Sequence, residues 1–137
     1  MQEGKLTPTV LARRIMRETL DRVPRSRGIL FDGHPKMLGE AKLMAHQLGT
    51  QRRADPLVVY LSIPFSEVVR RAEKRGRSDD QPNALRNRIA YYRVHMAAAV
   101  RFYRRRYAFR KVSGIGTRDA VFARLRKVID AYSASSS

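Results

Sequence analysis

The chain has 137 residues, 43% of them apolar and 30% charged, and 29 Lys and Arg against 12 Asp and Glu leave a net charge of +17. That length suits one domain with a core of useful size, the apolar share excludes bulk disorder, and the lack of cysteine excludes disulfides, thiol catalysis and thiolate metal sites. No apolar run approaches the roughly 20 residues of a membrane span and MQEGKLTPTV has no signal-peptide core, so a soluble, cytoplasmic protein is expected, with a phosphorylated small molecule or nucleic acid as the anionic partner its charge calls for.

Thr7 and Pro8 open a first helix as N-cap and first helical residue, with Leu6 stapled onto Leu11. Leu11, Ile15 and Leu20 form its apolar stripe, and it ends before Pro24. Ile29-Leu30-Phe31 reads as a buried strand running into Asp32, Gly33 and Pro35. A second helix after Pro35 carries Leu38, Ala41, Ala45 and Leu48 inward and takes Gly49 as C-cap, followed by a polar loop from Thr50 to Asp55. LVVYLS after Pro56 has the continuous apolar character of a strand covered on both faces.

Ser66 is expected to cap a third helix that ends near Arg75. The longest helix spans Pro82 to Tyr107, with Leu85, Ile89, Tyr92, Met96, Val100, Tyr103 and Tyr107 on one stripe. Phe109–Ser113 reads as a strand and Gly114-Ile115-Gly116 as a turn. Thr117 then caps a last helix with Val121, Leu125, Val128 and Tyr132 inward, before a tail that frays from Ser133 to Ser137. Strands alternating with helices imply βαβ units and a mainly parallel sheet, yet three strands are few for one.

Four segments in order give a resemblance to a known family: EGKLTP, DGHPK, KRGRSDD followed by LRNRIAYY, and SGIGTRDAVFARL. Together the chain resembles the carboxyl-terminal two thirds of adenylate kinase, a nucleoside-monophosphate kinase. The resemblance implies one α/β domain over residues 1–137, a P-loop-kinase-like parallel sheet with flanking helices, incomplete in having three strands and no central P-loop strand. Residues 1–27 would form monophosphate-binding helices and residues 74–80 a shortened lid. The chain has no G-x-x-x-x-G-K-[ST] loop: Leu6 follows Gly4-Lys5 where Ser or Thr is required. A truncated kinase, inactive alone and prone to associate through unpaired strand edges, is one expectation; a degenerate kinase fold serving as a basic nucleic-acid-binding or structural module is the other.

The resemblance also implies reversible phosphoryl transfer between ATP and AMP with Mg²⁺. Asp32 would hold the Mg²⁺ shell through water, or else be a plain Asx-turn residue. Leu6, Thr7 and Gly33 would face the monophosphate through their backbone. Lys36 stands where the family has an arginine on the phosphate, and keeps the charge without the bidentate fork. Glu40 stands where a glutamine commonly reads the adenine edge; a carboxylate cannot donate to a ring nitrogen, which leaves the base preference open. Arg77 and Arg88 would clamp the transferring and accepting phosphates, with Arg86 as the neighbour that could substitute for Arg88. Arg75 and Gly116 would lie near the ATP base. Asp79 and Asp80 would anchor lid arginines or cap the long helix, and His34 is read as structural.

Overall fold

The computed structural model describes residues 9–75 and 82–135. Their elements in chain order are α1 (Thr9–Arg22), α2 (Leu38–Thr50), β1 (Leu57–Ser62), α3 (Phe65–Arg75), α4 (Pro82–Arg106), β2 (Ala108–Ser113) and α5 (Arg118–Ser135). The expected cap at Thr7 and Pro8, the Leu6 staple and most of the lid lie outside the described residues.

β1 and β2 pair in parallel, in register from Leu57 against Ala108 to Ser62 against Ser113. Apolar, β-branched LVVYLS forms the strand the sequence predicts, although it is half-buried rather than enclosed. α4 packs on β2, and α5 lies against both strands. Where the two strands end, Gly114 donates its N–H to the Ser62 carbonyl at 2.9 Å. A Cβ at Gly114 would come within 2.8 Å of Ile63 Cγ2, so this closure requires glycine.

The core lies among the helices. Met16 and Leu20 of α1, Ala41, Met44 and Leu48 of α2, Ala99 and Tyr103 of α4, and Tyr107 form one buried cluster. Val58 and Phe109 bring one face of the sheet against it. A side chain as fully enclosed as Leu20 contributes about 2 kcal/mol by leaving water. Of the stripe expected on α1, Leu20 is in the core while Leu11 and Ile15 are about half exposed, and Met16 takes their place beside Leu20.

The third expected strand is corrected. Ile29 and Phe31 pack on the core while Leu30 between them is 92% exposed, which is the alternation of a strand. The segment joins no ladder, however, and the sheet among the described residues has two strands. No described strand runs beside residues 29–31 to take their N–H and C=O groups, so an extended backbone stays unpaired.

Three helix ends also differ from expectation. Gly49 lies inside α2, and Gln51 is the C-cap. The left-handed residue after it is Arg52 (φ 50), and Arg52 and Arg53 donate back to the Gly49 and Leu48 carbonyls at 3.0 and 2.9 Å. This is a Schellman closure with arginine where glycine is usual. Ser66 lies within α3, since the Pro64 carbonyl already accepts from Glu67 and Val68. α5 continues to Ser135, so the tail expected to fray from Ser133 is helical over its first three residues. Thr117 caps α5 as expected: its Oγ1 accepts the Ala120 N–H at 3.2 Å.

Candidate functional site

Between α1 and the segment that joins it to α2 lies an open pocket of about 520 Å³. α1 contributes Met16, Thr19 and Leu20 to its wall, the unpaired segment contributes Ile29 and Phe31, and Tyr91 closes it from α4. Gly33, His34, Lys36 and Glu40 bring polar groups into this largely apolar space.

Backbone geometry sets those groups in place. Gly33 has φ +64, a conformation in which a side chain is strained, and it turns the chain at the end of the extended segment. The His34–Pro35 bond that follows is cis. Tyr103 donates its hydroxyl to the Pro35 carbonyl at 3.0 Å, holding this turn on the core. Burial keeps the Tyr103 phenol well above its ordinary pKa, with the neighbouring Tyr107 and Glu40 adding to the effect. Tyr103 therefore remains a neutral donor throughout the physiological range.

Glu40, on the first turn of α2, is the one buried charged residue among those described. Its Oε2 accepts the backbone N–H groups of Lys36 at 3.2 Å and Met37 at 3.3 Å, and lies 3.6 Å from His34 Nδ1. The side chain thus reaches back over its own helix start, as the third residue of a capping box does. Lys36 places its Nζ 5.4 Å from the centre of the Tyr92 ring, a cation–π contact that steadies a long side chain.

The structure brings together Gly33, Lys36 and Glu40, with His34 beside them. Asp32, the residue before Gly33, is exposed and has no hydrogen-bond or ion-pair partner among the described residues. Arg75 ends α3 and is exposed, and Gly116 (φ +105) precedes α5; neither lines this pocket. The parts of the chain that carry them are nevertheless tied, because Arg71 of α3 donates to the Gly114 carbonyl at 2.9 Å. Arg124 of α5 holds the same turn through the Ser113 and Ile115 carbonyls at 2.8 and 2.7 Å. Leu6, Thr7, Arg77, Asp79 and Asp80 lie outside the described residues, as does the side chain of Arg88 on α4. Arg86 is exposed.

Four supporting residues had no such role in the sequence reading. Tyr103 belonged to an apolar stripe, and nothing local marks its hydroxyl as a long-range donor. Tyr91 and Tyr92 follow LRNRIA by adjacency alone. Arg53, in the polar loop, donates to the Val23, Pro24 and Arg27 carbonyls and secures the end of α1, hence one wall of the pocket. Among the described residues no group of three His, Asp or Glu could hold a metal ion, and no helix is long and apolar enough to cross a membrane.

No protein-family model matches the chain. Individual proteins do. The chain is 34% identical over 133 residues to the adenylate kinase of Thermus thermophilus, covering 94% of this chain and 69% of that protein. It is 30% identical over 134 residues to the adenylate kinase of Azobacteroides pseudotrichonymphae, covering 95% and 70%. It is 28% identical over 127 residues to that of Phocaeicola vulgatus, covering 90% and 67%. Resemblance in this order of segments and over this much of both chains leads to one statement: the chain belongs to the adenylate kinase family.

Proposed function

We propose that this chain serves reversible phosphoryl transfer between ATP and a nucleoside monophosphate, with AMP as the family's reference substrate, and that its described residues form the monophosphate side. The observation that carries this is the pocket joining Gly33, Lys36 and Glu40 next to Asp32. An apolar space of this size accepts a base and sugar. Lys36 supplies a cation for the phosphate, and the left-handed turn at Gly33 leaves its backbone open to a close-lying ligand. Asp32, a single exposed carboxylate, fits a Mg²⁺ that keeps several waters and arrives with nucleotide phosphates, rather than a resident all-protein site. That ion would neutralise charge on the transferring group; Arg75, Arg77 and Arg88 would add fixed positive charge, because phosphoryl transfer depends on positioning and electrostatic stabilisation.

The 137 residues contain no G-x-x-x-x-G-K-[ST] loop to cradle the ATP phosphates. On their own they are expected to bind a monophosphate without turnover. A titration with AMP followed by amide NMR is expected to shift Gly33 and its neighbours; equal shifts with inorganic phosphate alone would overturn a base-reading pocket. A coupled assay is expected to detect no transfer by the 137-residue chain, and transfer that Arg88→Ala lowers once a strand and P-loop segment is supplied. Turnover of about 1 per second without that segment, within the ordinary enzyme range, would contradict the assignment.

A second reading, a degenerate fold acting as a basic nucleic-acid module, draws on one groove. Arg101, Arg105 and Arg106 line it with Phe102 on α4. Binding of single-stranded RNA that weakens steeply with salt, with no response to mononucleotides, would favour it.

A further inference from the structure

The pocket's inner polar group is an acceptor with no donor of its own. Glu40 is 5% exposed and lines a space whose other walls are chiefly apolar. An ionised carboxylate offers about four lone-pair sites and no hydrogen to give. Two N–H groups, from Lys36 and Met37, take up sites on Oε2. About two sites remain, those of Oε1; the nearby His34 Nδ1, at 3.6 Å, faces Oε2, the oxygen already occupied.

A base entering this space meets that carboxylate with its hydrogen-bonding edge. Adenine presents an amino donor beside a ring nitrogen that is an acceptor, so one of its lone pairs would face a carboxylate oxygen. Guanine presents two adjacent donors, the ring N1–H and the exocyclic amino group, and hypoxanthine presents the N1–H alone. A buried acceptor placed against an acceptor stays unsatisfied, which is the costly case. A pair of donors satisfies it. Resting on the monophosphate reading above, we infer that Glu40 makes this pocket selective for a guanine-type edge over adenine, with GMP the preferred monophosphate.

The test titrates the 137-residue chain with GMP, AMP, IMP and inorganic phosphate, following amide shifts at Gly33 and Lys36. GMP is expected to bind about tenfold or more tightly than AMP, the usual scale of discrimination by a two-donor pair, with IMP between them. Glu40→Gln keeps an acceptor oxygen for the Lys36 and Met37 N–H groups and adds a donor; it is expected to shrink or reverse the preference. AMP binding as tightly as GMP to the unaltered chain would overturn this inference and leave the monophosphate reading standing. A GMP preference unchanged in a folded Glu40→Gln would overturn the assignment to Glu40. Shifts with inorganic phosphate that no nucleotide exceeds would overturn both. The comparison within the unaltered chain decides the base preference even if the variant does not fold.

Discussion

Replacing Arg53 by alanine removes a guanidinium that joins the end of α1 to the turn after α2. Its Nε donates to Gln51 Oε1 at 2.7 Å, Nη1 to the Arg27 carbonyl at 3.0 Å, and Nη2 to the Val23 and Pro24 carbonyls at 2.5 and 3.2 Å. The bonds to Arg27 and Pro24 are exposed, so water takes over when the guanidinium is gone. Those to Val23 and Gln51 are partly buried, and at about 1–1.5 kcal/mol each the expected loss is about 2–3 kcal/mol. With an unfolding entropy of about 2.1 cal/mol/K per residue, that lowers Tm by about 7–10 °C. Arg53→Lys keeps the charge but not the planar fork, and is expected to recover only part of the loss. Val23, Leu20 and Thr19 line the pocket, so nucleotide affinity is expected to fall together with Tm. Calorimetry on the three proteins checks the reasoning. A Tm for Arg53→Ala within about 2 °C of the parent, the scale of an ordinary surface change, would refute it.

Three further outcomes follow from local geometry. Arg52→Gly relieves a left-handed side-chain residue at φ 50 and is expected to raise stability by about 0.5–1 kcal/mol by urea unfolding; no gain would mean the closure is unstrained. Tyr103→Phe loses the bond to Pro35 and about 1 kcal/mol. Because burial raises the folded-state pKa of Tyr103, its contribution is whole below the ordinary tyrosine value and is lost as pH rises above it, so the parent's stability is expected to fall on the alkaline side more steeply than the variant's. Glu67, bonded by Arg70 and Arg71 at 2.8 and 2.6 Å, has its pKa held down to about 2 from 4.5. Its contribution is present above 4.5 and disappears as pH falls toward 2. Glu67→Gln is expected to flatten that acid limb in thermal melts, and an unchanged limb would count against the pairing.

Where the sequence and the structure agree, local chemistry was sufficient. The β-branched run at Leu57–Ser62, the Thr117 cap and the long periodic α4 each depend on side chains within a few residues, and each is found where its pattern predicts. A strand is different, because it exists only beside a partner: residues 29–31 alternate as a strand does yet pair with nothing described. The same limit applies at helix ends. Gly49 satisfied the rule for a C-cap, but the helix ran on until Arg52 supplied the left-handed turn, a choice that serves Arg53's reach to α1. In the pocket, the motif DGHPK marks two residues, Gly33 and Lys36, that the structure brings to one wall. What it could not convey was that Glu40 folds back over its own helix, or that a tyrosine 68 positions away from Pro35 fastens the turn.

α5 contributes no buried residue, and leaves Phe122 and Ile129 largely in solvent. Structure of that kind opens in steps rather than all at once. The helices that share Met16, Leu20, Met44 and Tyr103 are expected to form the slowest-exchanging unit, and α5, which has no part in that cluster, to open more readily. Its amides are then expected to report a local opening equilibrium, and the turn at Gly114 that Arg124 holds from α5 is expected to loosen with it. α5 is therefore expected to behave as a latch on the two strands, with a free energy of opening well below that of the helical core.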